Sequence, residues 1–237
     1  MSGRVGSITT DIIADGLVLN IDPANKACYP GSGTTANNTI SSNHNGTTNG
    51  LIYNSSFINT SVWQMDGVDD YIDCGVLSAI EGVAATSMNI WVHPTNGSIR
   101  GTIGNWGNPY IGTAIDISSA ACYFYADKDT SGGGYGATSS GISNNTWANL
   151  TLTYDGTGAS AADRLKGYKN GVNQELTITG TIAEDTTASP NRSFRIGDQH
   201  IGTGILGYVG CAQVYNRTLS ASEVLHNYNA LKGRFGL

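Results

Sequence analysis

Apolar residues two positions apart recur in short segments throughout this chain, and no other sequence feature limits its fold as strongly. Successive side chains of a strand point to opposite faces, so this alternation predicts sheets with one buried and one solvated face. Gly, Asn, Asp or Pro bounds each segment, which is typical of turns between strands. The clearest predicted strands are 17–21 (LVLNI), 88–92 (MNIWV), 121–125 (ACYFY), 150–154 (LTLTY), 165–169, 194–196 and 207–215 (GYVGCAQVY).

The composition also favours an all-β chain. Thirty-two glycines, only 13% charged residues and abundant Thr, Asn and Ser indicate many short strands and tight turns. The pairs Asp155-Gly156 and Asn170-Gly171 tolerate the positive φ of hairpin turns, so they predict such turns. The segment 31–50 is rich in Gly, Thr, Asn and Ser, and it is predicted to be a surface loop.

A helix is predicted only near the C-terminus. Ser220 and Glu223 match the capping-box pattern, in which each side chain satisfies a free backbone N–H of the first helical turn. An apolar stripe at helical spacing follows, formed by Val224, Leu225, Tyr228 and Leu231. We therefore predict an N-terminal arm at 1–15 and one β-sandwich at 16–237, with a helix at about 220–232.

Charge and cysteine spacing exclude several classes of protein. The net charge is −6 and the 12 basic residues are scattered, so no nucleic-acid partner is expected. No apolar run approaches the ~20 residues that span a bilayer, so no membrane partner is expected, and the N-terminus lacks a signal-peptide core. The widely spaced cysteines are expected to be buried thiols rather than zinc ligands or disulfides: Cys28, Cys74, Cys122 and Cys211.

Residues 63–75 (WQMDGVDDYIDCG) bring four carboxylates close together in sequence, those of Asp66, Asp69, Asp70 and Asp73. Three interpretations apply. The aspartates form the corner of a β-hairpin, they bind calcium through Asp69 or Asp70, or they supply a catalytic pair. The hairpin corner is favoured, because neighbouring aspartates on a turn are well hydrated and no EF-hand pattern is present.

Four stretches, in the same order, resemble the laminin-G-like/concanavalin A-like superfamily. They are 65–73 (MDGVDDYID), 87–94 (SMNIWVHP), 147–158 with 165–172 (WANLTLTYDGTG, LKGYKNGV), and 194–199 with 207–224 (FRIGDQ, GYVGCAQVYNRTLSASEV). The resemblance spans about residues 15–230 and implies a concanavalin A-like jelly-roll β-sandwich. The stretches 16–35 and 226–237 resemble laminin-G-like virion structural proteins of tailed phages, including phages of marine cyanobacteria.

The resemblance also bears on catalysis and on metal binding. Glucanases of the superfamily carry a Glu-x-Asp-x-Glu strand, and none of the glutamates here belongs to such a motif, so no enzymatic activity is expected. Pentraxin-like members bind calcium just after the strand that matches 194–197. This implies calcium ligands at Asp198 and Gln199, helped by Asn105. The single carboxylate implies either weak calcium binding or a turn aspartate and no cofactor.

Sugar-binding sandwiches stack pyranose rings on exposed aromatic side chains. Trp106 and Tyr110 in the GNWGNPY segment, and Tyr135 after a run of glycines, are therefore the candidate glycan-binding residues. The tryptophans on predicted strands are expected in the core instead: Trp63, Trp91 and Trp147.

Together these features predict a non-enzymatic phage virion structural protein, made in the host cytoplasm, that decorates or cements the capsid surface. The N-terminal arm and one sandwich edge would contact the capsid shell or further copies in a homo-oligomer, and outer loops would contact glycans. The arm residues predicted to anchor these contacts are Val5, Ile8, Ile12 and Ile13. The alternative is a carbohydrate-binding adhesin of the tail or baseplate that attaches to the host surface.

Overall fold

The structure is a computed structural model that describes residues 12–98, 100–105, 111–128, 134–187, 192–198 and 203–237. In these residues two antiparallel sheets form a sandwich, and a helix follows the last strand. The prediction of an all-β sandwich with a short C-terminal helix is confirmed. No helix of the described residues is long and apolar enough to cross a membrane.

Sheet 1 has eight strands in the described part of the chain. They are β1 (Leu17–Ile21), β4 (Ile52–Phe57), β5 (Thr60–Asp66), β7 (Ala85–Pro94), β12 (Ala148–Asp155), β13 (Leu165–Lys169), β14 (Val172–Gln174) and β17 (Leu206–Tyr215). Their spatial order is β14-β13-β12-β7-β17-β5-β4, and β1 also pairs with β17. This order ends at β14 on one side and at β4 on the other, and β1 is a further strand with β17 as its one described partner.

Sheet 2 has nine described strands. They are β2 (Thr35–Ala36), β3 (Gly46–Asn49), β6 (Tyr71–Asp73), β8 (Arg100–Gly104), β9 (Gly112–Ile117), β10 (Cys122–Asp127), β11 (Tyr135–Ala137), β15 (Thr177–Thr179) and β16 (Arg195–Ile196). Their order is β15-β11-β10-β9-β8-β16-β6-β3-β2. The helices are α1 (Ala161–Arg164) and α2 (Ala221–Leu231), with 3₁₀ turns at Ser78–Ile80 and Lys232–Phe235.

The main core lies between the two sheets, and strand alternation builds it. Met88, Ile90 and Val92 of β7 are fully buried in this core, and Ile115 and Phe124 of sheet 2 belong to the same cluster. All four cysteines are buried and free, as predicted. Burial raises the pKa of Cys28 and Cys211 to about 12, so these thiols stay protonated at neutral pH.

The outer face of sheet 1 is covered as well, contrary to the expectation of one solvated face. Trp91 points away from the main core and packs in a second cluster with residues of α2 and the 3₁₀ turn that follows it. On the same face, Asn89 donates to Gln213 (2.8 Å) and Gln213 donates to Asn20 (3.0 Å). The polar residues that suggested a wet face are buried because they satisfy one another.

Residues 12 and 13 of the predicted N-terminal arm pack against the sandwich. Ile12 belongs to the second cluster. The Ile13 N–H donates to Asn227 of α2 (2.8 Å), and the Tyr215 hydroxyl donates to the Ile13 carbonyl (3.1 Å). Ile12 and Ile13, which were predicted to anchor the arm to a partner, therefore contact their own chain. They help to bury the apolar side chains on the outer face of sheet 1. Val5 and Ile8 lie outside the described residues.

One of the two predicted hairpin turns is confirmed. Asn170 (φ 53°) and Gly171 (φ 75°) join β13 to β14. Asp155-Gly156 forms no hairpin, since the chain continues into α1 and Gly156 has no positive φ. A Cβ at Gly156 would lie 1.8 Å from the Glu184 carbonyl oxygen, so this glycine is required by a close backbone approach.

The predicted surface loop at 31–50 is wrong in part, because it contains β2 and β3. Ala36 of β2 is fully buried, and a Cβ at Gly46 would lie 2.3 Å from an Ile72 side-chain carbon. These two strands form the edge of sheet 2, where most side chains are solvated. Their polar sequence therefore carries little of the apolar alternation that identifies a strand.

The capping box of α2 is present as predicted. The Ser220 side chain accepts from the Glu223 N–H, and the Glu223 carboxylate accepts from the Ser220 N–H (2.8 Å). Arg217 donates to the same carboxylate (2.7 and 3.0 Å). The Arg217 hydrogen bonds, followed by those of Ser220, lower the pKa of Glu223 to about 2 despite partial burial.

We expect Glu223→Gln to destabilise the protein by about 1 kcal/mol at pH 7, because the ion pair with Arg217 is lost while the glutamine oxygen still accepts from the Ser220 N–H. The folded-state pKa lies below the usual 4.5, so the ionised form stabilises the fold above that value. The difference from wild type should shrink as the pH falls toward about 2. Urea unfolding at several pH values measures it, with Glu175→Gln, an exposed glutamate, as the control.

Candidate functional site

The acidic segment joins the two sheets. β5 ends at Asp66 in sheet 1 and β6 begins at Tyr71 in sheet 2, so the predicted β-hairpin is wrong. The turn chemistry is confirmed: the Asp66 carboxylate accepts from the Val68 N–H (2.8 Å) and Gly67 has φ 80°. The Asp70 carboxylate accepts from the Asp66 N–H (2.8 Å). This hydrogen bond joins the two ends of the segment that crosses from sheet 1 to sheet 2.

Asp66, Asp69 and Asp70 could hold a cation, since one oxygen of each lies within 4.8 Å of the others. Burial raises the pKa of Asp70, and the charges of Asp66 and Asp69 raise it further. The first and last residues of the group are held by hydrogen bonds within the turn, and Asp66 and Asp69 are exposed. The arrangement is therefore explained as a turn.

The calcium ligands implied by the resemblance are not brought together. Ile196 pairs with Ile103 in antiparallel register, which places Asn105 near Phe194 and Asp198 near Gly101. Four residues along β8 separate these positions by about 13 Å, too far for one ion. Gln199 lies outside the described residues.

Each of the two residues has a different partner. The Asn105 side chain accepts from the Thr113 N–H (2.9 Å), and the carboxylate of Asp198 accepts from Arg195 (3.3 Å). The other Asp198 oxygen is buried and has no hydrogen-bond partner among the described residues. The Asn105 side chain therefore stabilises the start of β9, and the Asp198 carboxylate forms an ion pair with Arg195.

Sheet 2 carries a row of outward-facing residues, which we call the outer row. Backbone pairing places the members of this row opposite one another on neighbouring strands. In order across the sheet they are Asp73, Arg195, Gly104, Ala114, Tyr125 and Tyr135. The adjacent row is fully buried in the main core: Ile72, Ile196, Ile103, Ile115 and Phe124. Side chains alternate along strands, so the outer row points away from the core.

At one end of the outer row lies a groove, the Arg195 groove, of about 530 Å³. Arg195 lies beside the groove and contacts two of its lining residues: the guanidinium lies 4.0 Å from the centre of the Tyr71 ring and 3.8 Å from the Asp73 carboxylate, and it also lies 3.3 Å from Asp198. These contacts hold the side chain in place. The lining residues are His44, Asn45, Thr47, Asn49, Tyr71, Asp73, Cys74 and Gly75.

At the other end lies the tyrosine cluster, formed by Tyr123, Tyr125 and Tyr135. The Tyr135 ring centre is 6.0 Å from that of Tyr123 and 5.4 Å from that of Tyr125, and all three side chains are partly exposed. Burial and a hydrogen bond to Asp116 raise the pKa of Tyr125, so the phenol stays neutral and oriented. About 19 Å, four strand spacings, separates Tyr125 from Asp73.

Of the predicted glycan-binding residues, Tyr135 lies in the tyrosine cluster, and Trp106 and Tyr110 lie outside the described residues. Tyr123 and Tyr125 were not predicted as site residues, although the alternation in ACYFY places them on the face opposite the buried Cys122 and Phe124. Tyr71 and Arg195 were not predicted either, because they are distant in sequence and meet only through the pairing of β6 with β16.

The fold places the protein in the class of concanavalin A-like sandwiches. The family model described as "Concanavalin A-like lectin/glucanases superfamily" matches residues 66–225. The chain belongs to this superfamily. No curated protein matches it in sequence.

Solved structures with the same fold are distant in sequence. Domain 4 of a GH43 extracellular arabinanase from Geobacillus stearothermophilus, in complex with arabinotriose, has a TM-score of 0.64 and 16% identity, covering 90% of this chain and 98% of that one. The binding domain of Paraclostridial Mosquitocidal Protein 1 has a TM-score of 0.65 and 14% identity, covering 91% and 52%.

The ligand binding domain of botulinum neurotoxin serotype D, in complex with N-acetylneuraminic acid, has a TM-score of 0.63 and 14% identity. The alignment covers 94% of this chain and 52% of that one. The present chain thus spans about half the length of the toxin chains. At these identities the likeness establishes the fold alone.

Proposed function

We propose that this protein is a non-enzymatic glycan-binding domain, and that the glycan contacts the two ends of the outer row of sheet 2. The observation that carries the proposal is the register that places the Arg195 groove and the tyrosine cluster on one face. Gly104 and Ala114 lie between them in the outer row and are both buried, so the groove and the cluster are two separate contact points for one ligand.

The chemistry of both ends suits neutral sugars. Tyrosine rings offer flat apolar faces with a polar edge, on which sugar rings pack. Asn45, Asn49 and Thr47 in the groove present donors and acceptors for hydroxyl groups. Arg195 is already paired with Asp73 and Asp198, so it adds directed N–H donors without a net positive charge.

The comparisons support the same class of ligand. One neighbour of this fold was solved with arabinotriose and another with N-acetylneuraminic acid. The superfamily also includes glucanases, but the glutamate motif that the resemblance associates with catalysis is missing from this sequence. A binding domain therefore fits the residues better than a hydrolase.

The virion role predicted from the terminal stretches stays a prediction. A glycan-binding face favours the tail or baseplate adhesin over capsid decoration, because an adhesin attaches through such a face. Density for this domain on an intact particle is the test of either location.

We expect Tyr135→Ala and Tyr71→Ala each to weaken glycan binding at least tenfold, about 1.4 kcal/mol, because each removes a ring that contacts the ligand. A glycan array that includes arabinan fragments and sialylated oligosaccharides identifies a ligand, and titration calorimetry measures its affinity. Tyr53→Ala is the matched control, since Tyr53 is a partly exposed tyrosine on sheet 1.

Two results would contradict the proposal. One is unchanged affinity in both tyrosine variants when the ligand still binds the wild type. The other is hydrolysis of a polysaccharide by the purified protein that is lost in Asp70→Asn, since that outcome would make the acidic crossing a catalytic site.

A further inference from the structure

His93 is a buried histidine on the outer face of sheet 1, so it lies apart from the proposed glycan site on sheet 2. Only 5% of its surface is exposed, and its Nδ1 atom is buried with no hydrogen-bond partner among the described residues. Three aromatic rings contact it edge-on, with ring centres 5.2 Å (Phe57), 5.3 Å (Trp147) and 5.7 Å (Tyr208) away. This enclosure leaves little of the water that a charged imidazole ring requires.

The strands and the loop that enclose His93 supply no counter-ion for it. Segment 143–147 and the described strands β4, β7 and β17 contain no Asp, Glu, Lys or Arg. The one carboxylate of β5 is that of Asp66, which is exposed and lies about 12 Å away across the paired strands. A protonated His93 would therefore be a buried charge with no carboxylate beside it. The other charged or titratable groups that face it are the Tyr208 phenol and, beyond Trp147 and Phe235, Lys232 and the Asp22–Arg234 pair.

Phe57 and Tyr208 are the two partly exposed rings of this cluster, and together they cover His93. The two rings stack, with centres 3.8 Å apart. Phe57 ends β4, and the turn that follows, Ile58-Asn59, has positive φ at both positions (44° and 67°). A β-branched residue disfavours this conformation, so the turn is strained and depends on the packing of Phe57. The Phe57 end of β4 is therefore the part of the enclosure that opens most readily.

We infer that His93 is a pH sensor, and that its protonation releases Phe57 and the β4–β5 turn (residues 57–60) from the outer face of sheet 1. A proton from the solvent gives the ring a positive charge and a second N–H donor, and both require water. Movement of Phe57 admits that water, while the pairing of β7 with β12 and β17 stays intact. The tip of one hairpin thus responds to pH, and the rest of the sandwich does not.

The direction of the effect follows from the burial of the ring. Burial lowers the pKa of His93 below its usual 6.5, and nearby backbone groups of His93 and Asn145 offset part of this shift. The closed form is therefore fully favoured above pH 6.5, and it loses stability as the pH falls from 6.5 toward the lowered pKa. Each pH unit within that range favours opening by up to about tenfold.

Hydrogen–deuterium exchange at pH 7.5 and pH 5.0 tests the inference. Protection factors are compared, because they correct for the intrinsic pH dependence of amide exchange. In the wild type we expect protection in segment 52–63 to fall at least fivefold at the lower pH, and protection in β12 and β13 to change less than twofold. His93→Phe should abolish the difference, because phenylalanine keeps the aromatic packing and binds no proton.

His226→Gln is the matched control, since His226 is an exposed histidine on α2. This variant should show the same loss of protection in segment 52–63 as the wild type. Three results would overturn the inference: constant protection of this segment in the wild type, an equal loss in His93→Phe, or a loss that is uniform along the chain.

Phe57→Ala provides a second test, which does not depend on the folding of His93→Phe. Phe57 is partly exposed, so its truncation should leave the fold intact and admit water to the imidazole ring. The pKa of His93, measured by NMR from the carbon-bound protons of its ring, should lie below 6.5 in the wild type and closer to 6.5 in Phe57→Ala. An ordinary pKa in the wild type, or the same pKa in both proteins, would refute the inference.

Discussion

Replacing Arg234 by Met is expected to lower the free energy of unfolding by about 3–5 kcal/mol, because it leaves a buried carboxylate without its charged partner. Arg234, in the last 3₁₀ turn, donates two hydrogen bonds to Asp22 (2.6 and 2.7 Å) and one to Thr60 (2.8 Å). Asp22 follows β1 and is only 2% exposed. The pair therefore ties the C-terminus to the start of the sandwich.

Urea unfolding followed by far-UV circular dichroism measures this loss. Lys128→Met is the matched control, since Lys128 and Asp185 form an ion pair in which both side chains are about half exposed. Its expected cost is below about 1 kcal/mol. The double variant Asp22→Asn, Arg234→Met should lose less than the sum of the single variants, because the two residues interact directly. Equal losses at the buried and the surface pair would refute this account.

Replacing Trp91 by Ala is expected to cost about 3–5 kcal/mol, the usual range for deleting a buried aromatic side chain. Trp91 is fully buried on the outer face of sheet 1. Its ring stacks on Phe235 (centres 4.2 Å apart, planes at 13°) and on Tyr228 (5.7 Å, 11°). The change would open a cavity between sheet 1 and the C-terminal helix.

The variant Trp91→Phe distinguishes the contribution of ring stacking to stability from that of the indole N–H. The indole N–H of Trp91 is buried and finds no hydrogen-bond partner in the described part of the chain, so a phenylalanine keeps most of the contact and removes an unsatisfied donor. We expect a cost well below that of the alanine variant in the same urea unfolding measurement. A phenylalanine variant as unstable as the alanine variant would show that ring stacking is not what holds the helix.

The candidate site was predictable only in part. Tyr135 was identified from its place beside a glycine run, and Tyr123 and Tyr125 were accessible from strand alternation alone. Arg195 and Tyr71 were not accessible, because more than a hundred residues separate them and only the pairing of β6 with β16 joins them. The implied partnership of Asn105 with Asp198 failed for the same reason, since antiparallel register moves them to opposite ends of β8.

The sequence by itself determined the strand-rich architecture, the buried tryptophans, the capping box of α2 and the turn at Asn170-Gly171. These features depend on local hydrogen bonds and on side-chain alternation, which neighbouring residues specify. Only the tertiary structure decided that β5 and β6 belong to different sheets, that residues 12–13 cover sheet 1, and which residues share the outer row. Strand partners and register depend on contacts between distant segments, whose energy no short stretch of sequence contains.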